Sequence, residues 1–144
     1  MSAPIRVVIA DDSVLLREGL VRLLEDSGFE VAGQAGDAED LLRKVGAHKP
    51  DVAVVDVRMP PTHTDEGLRA AHAIRTEIPG TAVLVLSQYS ESQYAHTLFA
   101  DGRAGIGYLL KERVIDPAAF AEAVRQVWHG EAVLDPTIIE RRSG

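Results

Sequence analysis

The chain has 144 residues, no cysteine and a formal net charge of −7, from 15 basic and 22 acidic side chains. That length suits one domain with a single core, the missing cysteines exclude a disulfide framework and any thiolate metal site, and an acidic chain with no basic run before Arg141-Arg142 is a poor partner for nucleic-acid phosphates. No stretch approaches the roughly 20 apolar residues that cross a bilayer and Met1-Ser2-Ala3-Pro4 has no signal-peptide pattern, so a cytoplasmic, non-membrane protein is expected.

Short apolar runs alternate with longer amphipathic ones. Ile5 to Ala10 is rich in β-branched residues and reads as a strand, and residues 14 to 27 place Val14, Leu15, Leu20, Val21, Leu23 and Leu24 at helical spacing before Gly28. Glu30 to Ala35 is a weaker strand, and Asp37 is an N-cap for a helix through Leu41, Leu42 and Val45 that ends at Pro50. Val52 to Val55 is apolar on both faces, and residues 66 to 77 form a helix with Leu68, Ala71 and Ile74 on one side. Ala82 to Leu86 is a fourth strand, residues 91 to 101 a short helix with Tyr94, Leu98 and Phe99, and Ile106 to Leu110 a fifth strand. Asp116-Pro117 opens a last helix, Asp as N-cap and Pro at the first helical position, which Gly130 closes. Strands this apolar are covered on both faces, so the pattern predicts a doubly wound α/β fold: a five-stranded parallel sheet with helices on both sides. The domain is expected over residues 1–130, with 131–144 a C-terminal extension or the start of a linker.

Ligands of open parallel sheets bind outside the carboxyl ends of the strands. There the first strand presents Asp11 and Asp12, the third Asp56, the fourth Ser87 and the fifth Lys111. Three carboxylates at close range repel, and one would be driven toward protonation unless a cation compensates. Magnesium suits oxygen ligands and bridges carboxylates to phosphoryl oxygens. Lys111 adds a compact positive charge and Ser87 a hydroxyl donor, which together make a cradle for a phosphoryl group. Asp56 could attack phosphorus to form an acyl phosphate. Each residue also has a plainer reading: Asp11-Asp12 as helix caps, Asp56 as a loop acid, Ser87 as a turn residue, Lys111 as a solvated lysine. The coincidence of all of them at four strand ends favours the site.

The strings Ile9-Ala10-Asp11-Asp12, Val55-Asp56-Val57-Arg58-Met59-Pro60, Leu86-Ser87 and Gly107-Tyr108-Leu109-Leu110-Lys111 resemble the receiver domain of two-component response regulators, over about residues 5 to 130. The last string, with Trp128-His129-Gly130-Glu131, is similar to the NarL/FixJ, LuxR-type subclass. The resemblance implies a flavodoxin-like (βα)5 fold of strand order 2-1-3-4-5, and a phosphorylation switch rather than an enzyme acting on external substrates. It further implies that Asp56 takes a phosphoryl group from a sensor histidine kinase. Asp12, Asp56 and the backbone carbonyl of Arg58 would hold Mg2+, Asp11 acting partly through a water. Lys111 would meet the phosphoryl oxygens, and Ser87 and Tyr108 would move together as the switch. The output would run through residues 91 to 127 to a second copy of the chain or to a DNA-binding helix-turn-helix domain absent here. The chain is therefore read as a piece of a longer transcription regulator, with a stand-alone receiver as the alternative. Tyr94, Leu98 and Trp128 could serve the signalling surface, with ordinary helix packing as the plainer reading, favoured for Leu98.

Three departures from the family pattern stand out. The loop Met59 to Gly67 is long and contains His63, read as a solvated loop histidine in preference to one that modulates access. Gln88 is bulky where a small residue is usual. Glu112 replaces the common proline after Lys111, so a trans peptide is expected there, a non-proline cis bond costing roughly 3 kcal/mol. A magnesium-dependent phosphohydrolase is disfavoured by Arg58, which stands where such enzymes carry a second aspartate. A nucleotide- or flavin-binding flavodoxin-like domain lacks its phosphate loop at Asp11-Asp12, and a degenerate receiver would not keep the whole chemical set.

Overall fold

The structure, a computed structural model, describes residues 3–88 and 104–135. In chain order the elements are β1 (Arg6–Ala10), α1 (Val14–Asp26), β2 (Glu30–Ala35), α2 (Ala38–His48), β3 (Val52–Asp56), α3 (Glu66–Glu77), β4 (Ala82–Ser87), β5 (Ile106–Leu110), a 3-10 helix (Lys111–Ile115), α4 (Pro117–Trp128) and β6 (Val133–Leu134). The helix expected over 91 to 101, with Tyr94 and Leu98, lies outside the described residues.

All strand pairs are parallel, in the order β2-β1-β3-β4-β5-β6. The first five strands keep the expected order, and β6 adds a sixth at the β5 edge. Side chains alternate through each central strand. Val8, Ala53, Val55, Val83, Val85 and Tyr108 pack with Leu41 and Val45 of α2 and with Leu68, Ala71 and Ile74 of α3. Val7, Ile9, Val52, Val54, Leu84 and Leu86 pack with Leu20 and Leu24 of α1 and with Phe120, Val124 and Val127 of α4. One hydrophobic layer on each face makes the sheet the rigid plate on which the strand-end loops are mounted.

The helix ends follow local chemistry. Asp37 caps α2 by accepting the Asp40 amide at 2.8 Å, and Asp116 caps α4 by accepting the Ala119 amide at 3.2 Å, with Pro117 at the first helical position. The cap of α1 is Ser13, whose Oγ accepts the Leu16 amide at 3.3 Å, so the Asp11-Asp12 pair is not spent on that cap. Gly28, at φ 93, turns the chain out of α1, a conformation that costs glycine little.

Two contacts that the sequence pattern does not announce fix the carboxyl edge. Gly67, the second residue of α3, donates its amide to the Val57 carbonyl at 2.8 Å. A Cβ there would lie 1.8 Å from the Asp56 carbonyl oxygen and 2.9 Å from Val57 Cα. The start of α3 therefore rests directly on the backbone that carries Asp56. The second contact is Asp135, fully buried just beyond β6. Its carboxylate accepts the Leu110 amide at 3.0 Å and the Arg113 guanidinium at 3.0 and 3.2 Å, while its own amide bonds the Tyr108 carbonyl at 2.8 Å. These bonds clamp both sides of Lys111, which joins β5 to the 3-10 helix.

Gly67→Ala is expected to lower stability by about 2–3 kcal/mol, because the clash is with backbone and no side chain can yield. Asp135→Ala is expected to cost a similar ~2–3 kcal/mol, since it strands a buried amide and breaks a charge pair whose arginine is partly solvated. Urea midpoints measured at constant m-value check both; a midpoint matching the unmodified chain contradicts the corresponding contact.

Candidate functional site

Strand register assembles the site. Ala10 lies beside Val55, so Asp11 and Asp56 leave neighbouring strand ends. Ser87 lies opposite Leu110, one residue before Lys111. Suitable oxygens of Asp11, Asp12 and Asp56 all fall within 4.8 Å of one another. Lys111 Nζ reaches Asp56 Oδ2 at 3.1 Å and Asp11 Oδ2 at 3.4 Å. Asp11, Asp56 and Ser87 are buried, whereas Asp12 and Gln88 reach solvent. Asp12, Asp56, Arg58, His63, Gln88 and Lys111 line an open cleft of about 270 Å3. Asp11, Asp12, Asp56 and Lys111 thus come together, Ser87 lies on the neighbouring strand end, and Gln88 lines the cleft.

Lys111 alone does not balance the three clustered acids it faces. Asp11 Oδ1 accepts the Ser13 amide at 2.9 Å. Its Oδ2 is buried without a hydrogen-bond partner, Lys111 offering only the 3.4 Å ionic contact. Burial, with Asp11 close by, pushes the Asp56 carboxyl up to about 6 although Lys111 and the Arg58 amide, 3.4 Å from Oδ1, pull the other way. An orphaned buried carboxylate oxygen among clustered acids fits a hard divalent cation with oxygen ligands.

Tyr108 is fully buried within β5 and packs in the layer beneath α2 and α3. Trp128, 43% exposed, ends α4 with its ring 4.7 Å from that of His129. The cis bond among the described residues joins Pro60 and Pro61, so Lys111–Glu112 is trans as expected.

His63, read from the sequence as a solvated loop histidine, is half exposed and also contacts the acidic cluster. His63 Nε2 lies 3.0 Å from Asp12 Oδ2, at the rim of the cleft. Glu66, nearly buried at the start of α3, accepts the Thr62 amide at 2.7 Å, the Thr64 amide at 3.0 Å and the Thr62 hydroxyl. Those donors, the Thr62 hydroxyl first, hold the Glu66 carboxyl down to about 2. Sequence reasoning passed over Glu66, Gly67 and Asp135. The available signals were threonines two and four residues before Glu66, and an Asp-Pro pair at 135–136 that reads equally well as a linker turn.

Comparison with known proteins supplies the family. Residues 7–125 match the model of the response regulator receiver domain. The transcriptional regulatory protein YxjL of Bacillus subtilis, itself uncharacterized, is 36% identical over 131 residues, which cover 90% of this chain and 56% of that protein. The oxygen regulatory protein NreC of Staphylococcus carnosus is 33% identical over 132 residues, 91% of this chain and 58% of the relative. The chain therefore spans a little over half the length of these curated relatives. Among solved structures, a LuxR-family two-component response regulator from Aurantimonas sp. SI85-9A1 superposes with a TM-score of 0.84 at 28% identity, covering 98% of this chain and 99% of that one. The receiver domain of a NarL response regulator from Mycobacterium tuberculosis superposes at 0.79 with 34% identity, covering 90% of this chain and 100% of that one. Fold, acidic strand-end cluster and relatives agree: the chain belongs to the response regulator receiver domain family, among its NarL-like, LuxR-type members.

Proposed function

We propose that Asp56 accepts a phosphoryl group from a phosphohistidine on a sensor histidine kinase. The observation that carries this reading is three carboxylates and one lysine gathered around a buried, orphaned carboxylate oxygen at the carboxyl edge of the sheet. Asp12, Asp56 and the Arg58 carbonyl would hold Mg2+ directly, with Asp11 partly through a water. The cation supplies neutralising charge for the carboxylates and the phosphoryl oxygens. Asp56, ionised above its raised pKa, attacks phosphorus. The O–P bond forms as the P–N bond of the donor breaks, and the leaving imidazole keeps the electron pair and picks up a proton. Lys111 turns from Asp56 to the phosphoryl oxygens, and the Ser87 hydroxyl donates to the same group. Tyr108 moves with Ser87. The chemistry is confined to this chain's own aspartate, so the domain is a switch and not an enzyme with external substrates.

Partners follow from the same edge. Leu15 and Ile115, each 83% exposed, stand on the elements that follow Asp12 and Lys111, where a kinase must approach. The relatives YxjL and NreC are named as regulatory proteins and are longer than this chain. By likeness, the full protein acts on transcription through a helix-turn-helix domain, with a phosphorylation-dependent homodimer as the active form and Trp128 near its surface. No described helix is long and apolar enough to cross a membrane; by likeness to the regulators it resembles, the domain would act in the cytoplasm.

Incubation with acetyl phosphate and magnesium is expected to add one phosphoryl group, read by intact mass and lost in Asp56→Asn. No adduct from acetyl phosphate, phosphoramidate or a phosphorylated kinase contradicts the proposal, and continuous release of phosphate from a generic ester would point to a hydrolase instead. A second prediction concerns charge. A carboxyl whose pKa rises on folding binds more protons in the native state, so its contribution falls as pH rises from about 4 through about 6. In chelator at pH 7.5, Asp56→Asn should therefore be more stable than the unmodified chain, by up to ~3 kcal/mol. At pH 5 the gain should shrink to about half, and excess magnesium should shrink it as well by stabilising the unmodified chain. Denaturant titrations of both chains at the two pH values decide it; a gain over the unmodified chain that is no larger at pH 7.5 than at pH 5 contradicts it.

A further inference from the structure

We propose that His63 is a positioning residue for the cation site, its imidazole holding the Asp12 carboxylate in the orientation that magnesium requires. The inference rests on the cation reading above and adds a residue to it. An ionised carboxylate only accepts hydrogen bonds, so at 3.0 Å His63 Nε2 carries the hydrogen and donates to Asp12 Oδ2. That bond occupies part of one oxygen and leaves Asp12 its second oxygen for the cation. Asp12 needs such a partner. Among the three acids it is the most exposed, with a side chain 35% accessible against 1% and 5% for Asp11 and Asp56. Packing fixes the other two and not this one.

The histidine is delivered by a built loop. Its backbone sits at φ 56, and its amide bonds the Met59 carbonyl at 2.9 Å. The residues on either side, Thr62 and Thr64, are both tied to the Glu66 carboxylate. Glu66 opens α3, whose next residue, Gly67, is seated on the Asp56 backbone. One short chain of contacts thus runs from the backbone of Asp56 through Glu66 to His63 and across the cleft to Asp12. Outer partners that orient a metal-binding carboxylate are typically worth 10- to 100-fold in affinity. The ring is half exposed, with 52% of its side chain accessible, which places the effect at the lower end.

Calorimetric titration of the full chain with magnesium chloride tests this. His63→Ala is expected to weaken magnesium binding about tenfold. His63→Gln, whose amide can donate from a similar reach, is expected to stay within about threefold of the unmodified chain. Ala and Gln meet the same backbone conformation at φ 56, so the comparison separates the hydrogen bond from loop strain. Equal weakening in both variants overturns the inference, because it assigns the effect to the loop. Unchanged or tighter binding in His63→Ala overturns it as well, because the histidine would then be a bystander or a competitor. If the unmodified chain takes up no magnesium, the cation reading falls and this inference falls with it, a result distinct from either of the others.

Discussion

Charge crowding at one sheet edge is the constraint that the rest of this molecule accommodates. Three carboxylates have oxygens within 4.8 Å of one another, and Lys111 makes ion pairs with two of them, Asp11 and Asp56. At such distances a pair of like charges costs about 1 kcal/mol in water and about 4 kcal/mol in a partly screened site. The protein does not relieve this by moving the acids apart. It buries two of them, leaves an oxygen of Asp11 without a hydrogen-bond partner, and holds the Asp56 carboxyl in a state that is harder to ionise. Stability alone would favour amides in the same places, and a cation would relieve the repulsion of a cluster held so unfavourably.

Holding repelling groups together requires a rigid frame. The parallel strands supply it: they are packed on both faces, and their register sets Asp11 beside Asp56 and Ser87 beside Leu110. The loops that leave the strands are then tied by single residues with no freedom to move. Gly67 lets α3 lie against the Asp56 carbonyl, Glu66 gathers the threonines around His63, and Asp135 binds the amide before Lys111 and the guanidinium two residues after it. Each acts through a backbone group or a buried carboxylate, so the cost of losing it is an unsatisfied polar atom or a steric overlap.

The parts legible in the sequence were those governed by periodicity and local caps. The apolar runs of Val52–Val55 and Ala82–Leu86, the Asp37 and Asp116 caps, and the acids and lysine at the strand ends all follow from patterns within a few residues. What escaped was settled by contacts between distant segments. Nothing near Asp135 marks it as the partner of Leu110 and Arg113, because the pairing exists only once β6 lies beside β5, and two residues are too short to register as a strand. His63 in a polar loop resembles any solvated histidine until the turn at φ 56 points it at Asp12, which is 51 positions away in the chain. Gly67 stands in the sequence only as the end of the long loop from Met59, and the β3–α3 packing alone reveals that no other side chain fits.

The charge balance also indicates what a phosphorylated state would demand. Counted by formal charge, the three aspartates and Lys111 alone leave an excess of two negative charges, which a divalent cation would balance. Converting the Asp56 carboxylate to an acyl phosphate replaces one negative charge by about two. The added charge has to be met by donors already at the edge, and Lys111 and the Ser87 hydroxyl are the ones the strand register places there. The backbone around Lys111 is held in place. The residue lies between a strand end and a 3-10 helix, both tied to Asp135, whose amide in turn bonds Tyr108. Those bonds hold the backbone on either side of Lys111, so a shift of its ammonium toward a new anion would be taken up by the flexible four-carbon side chain.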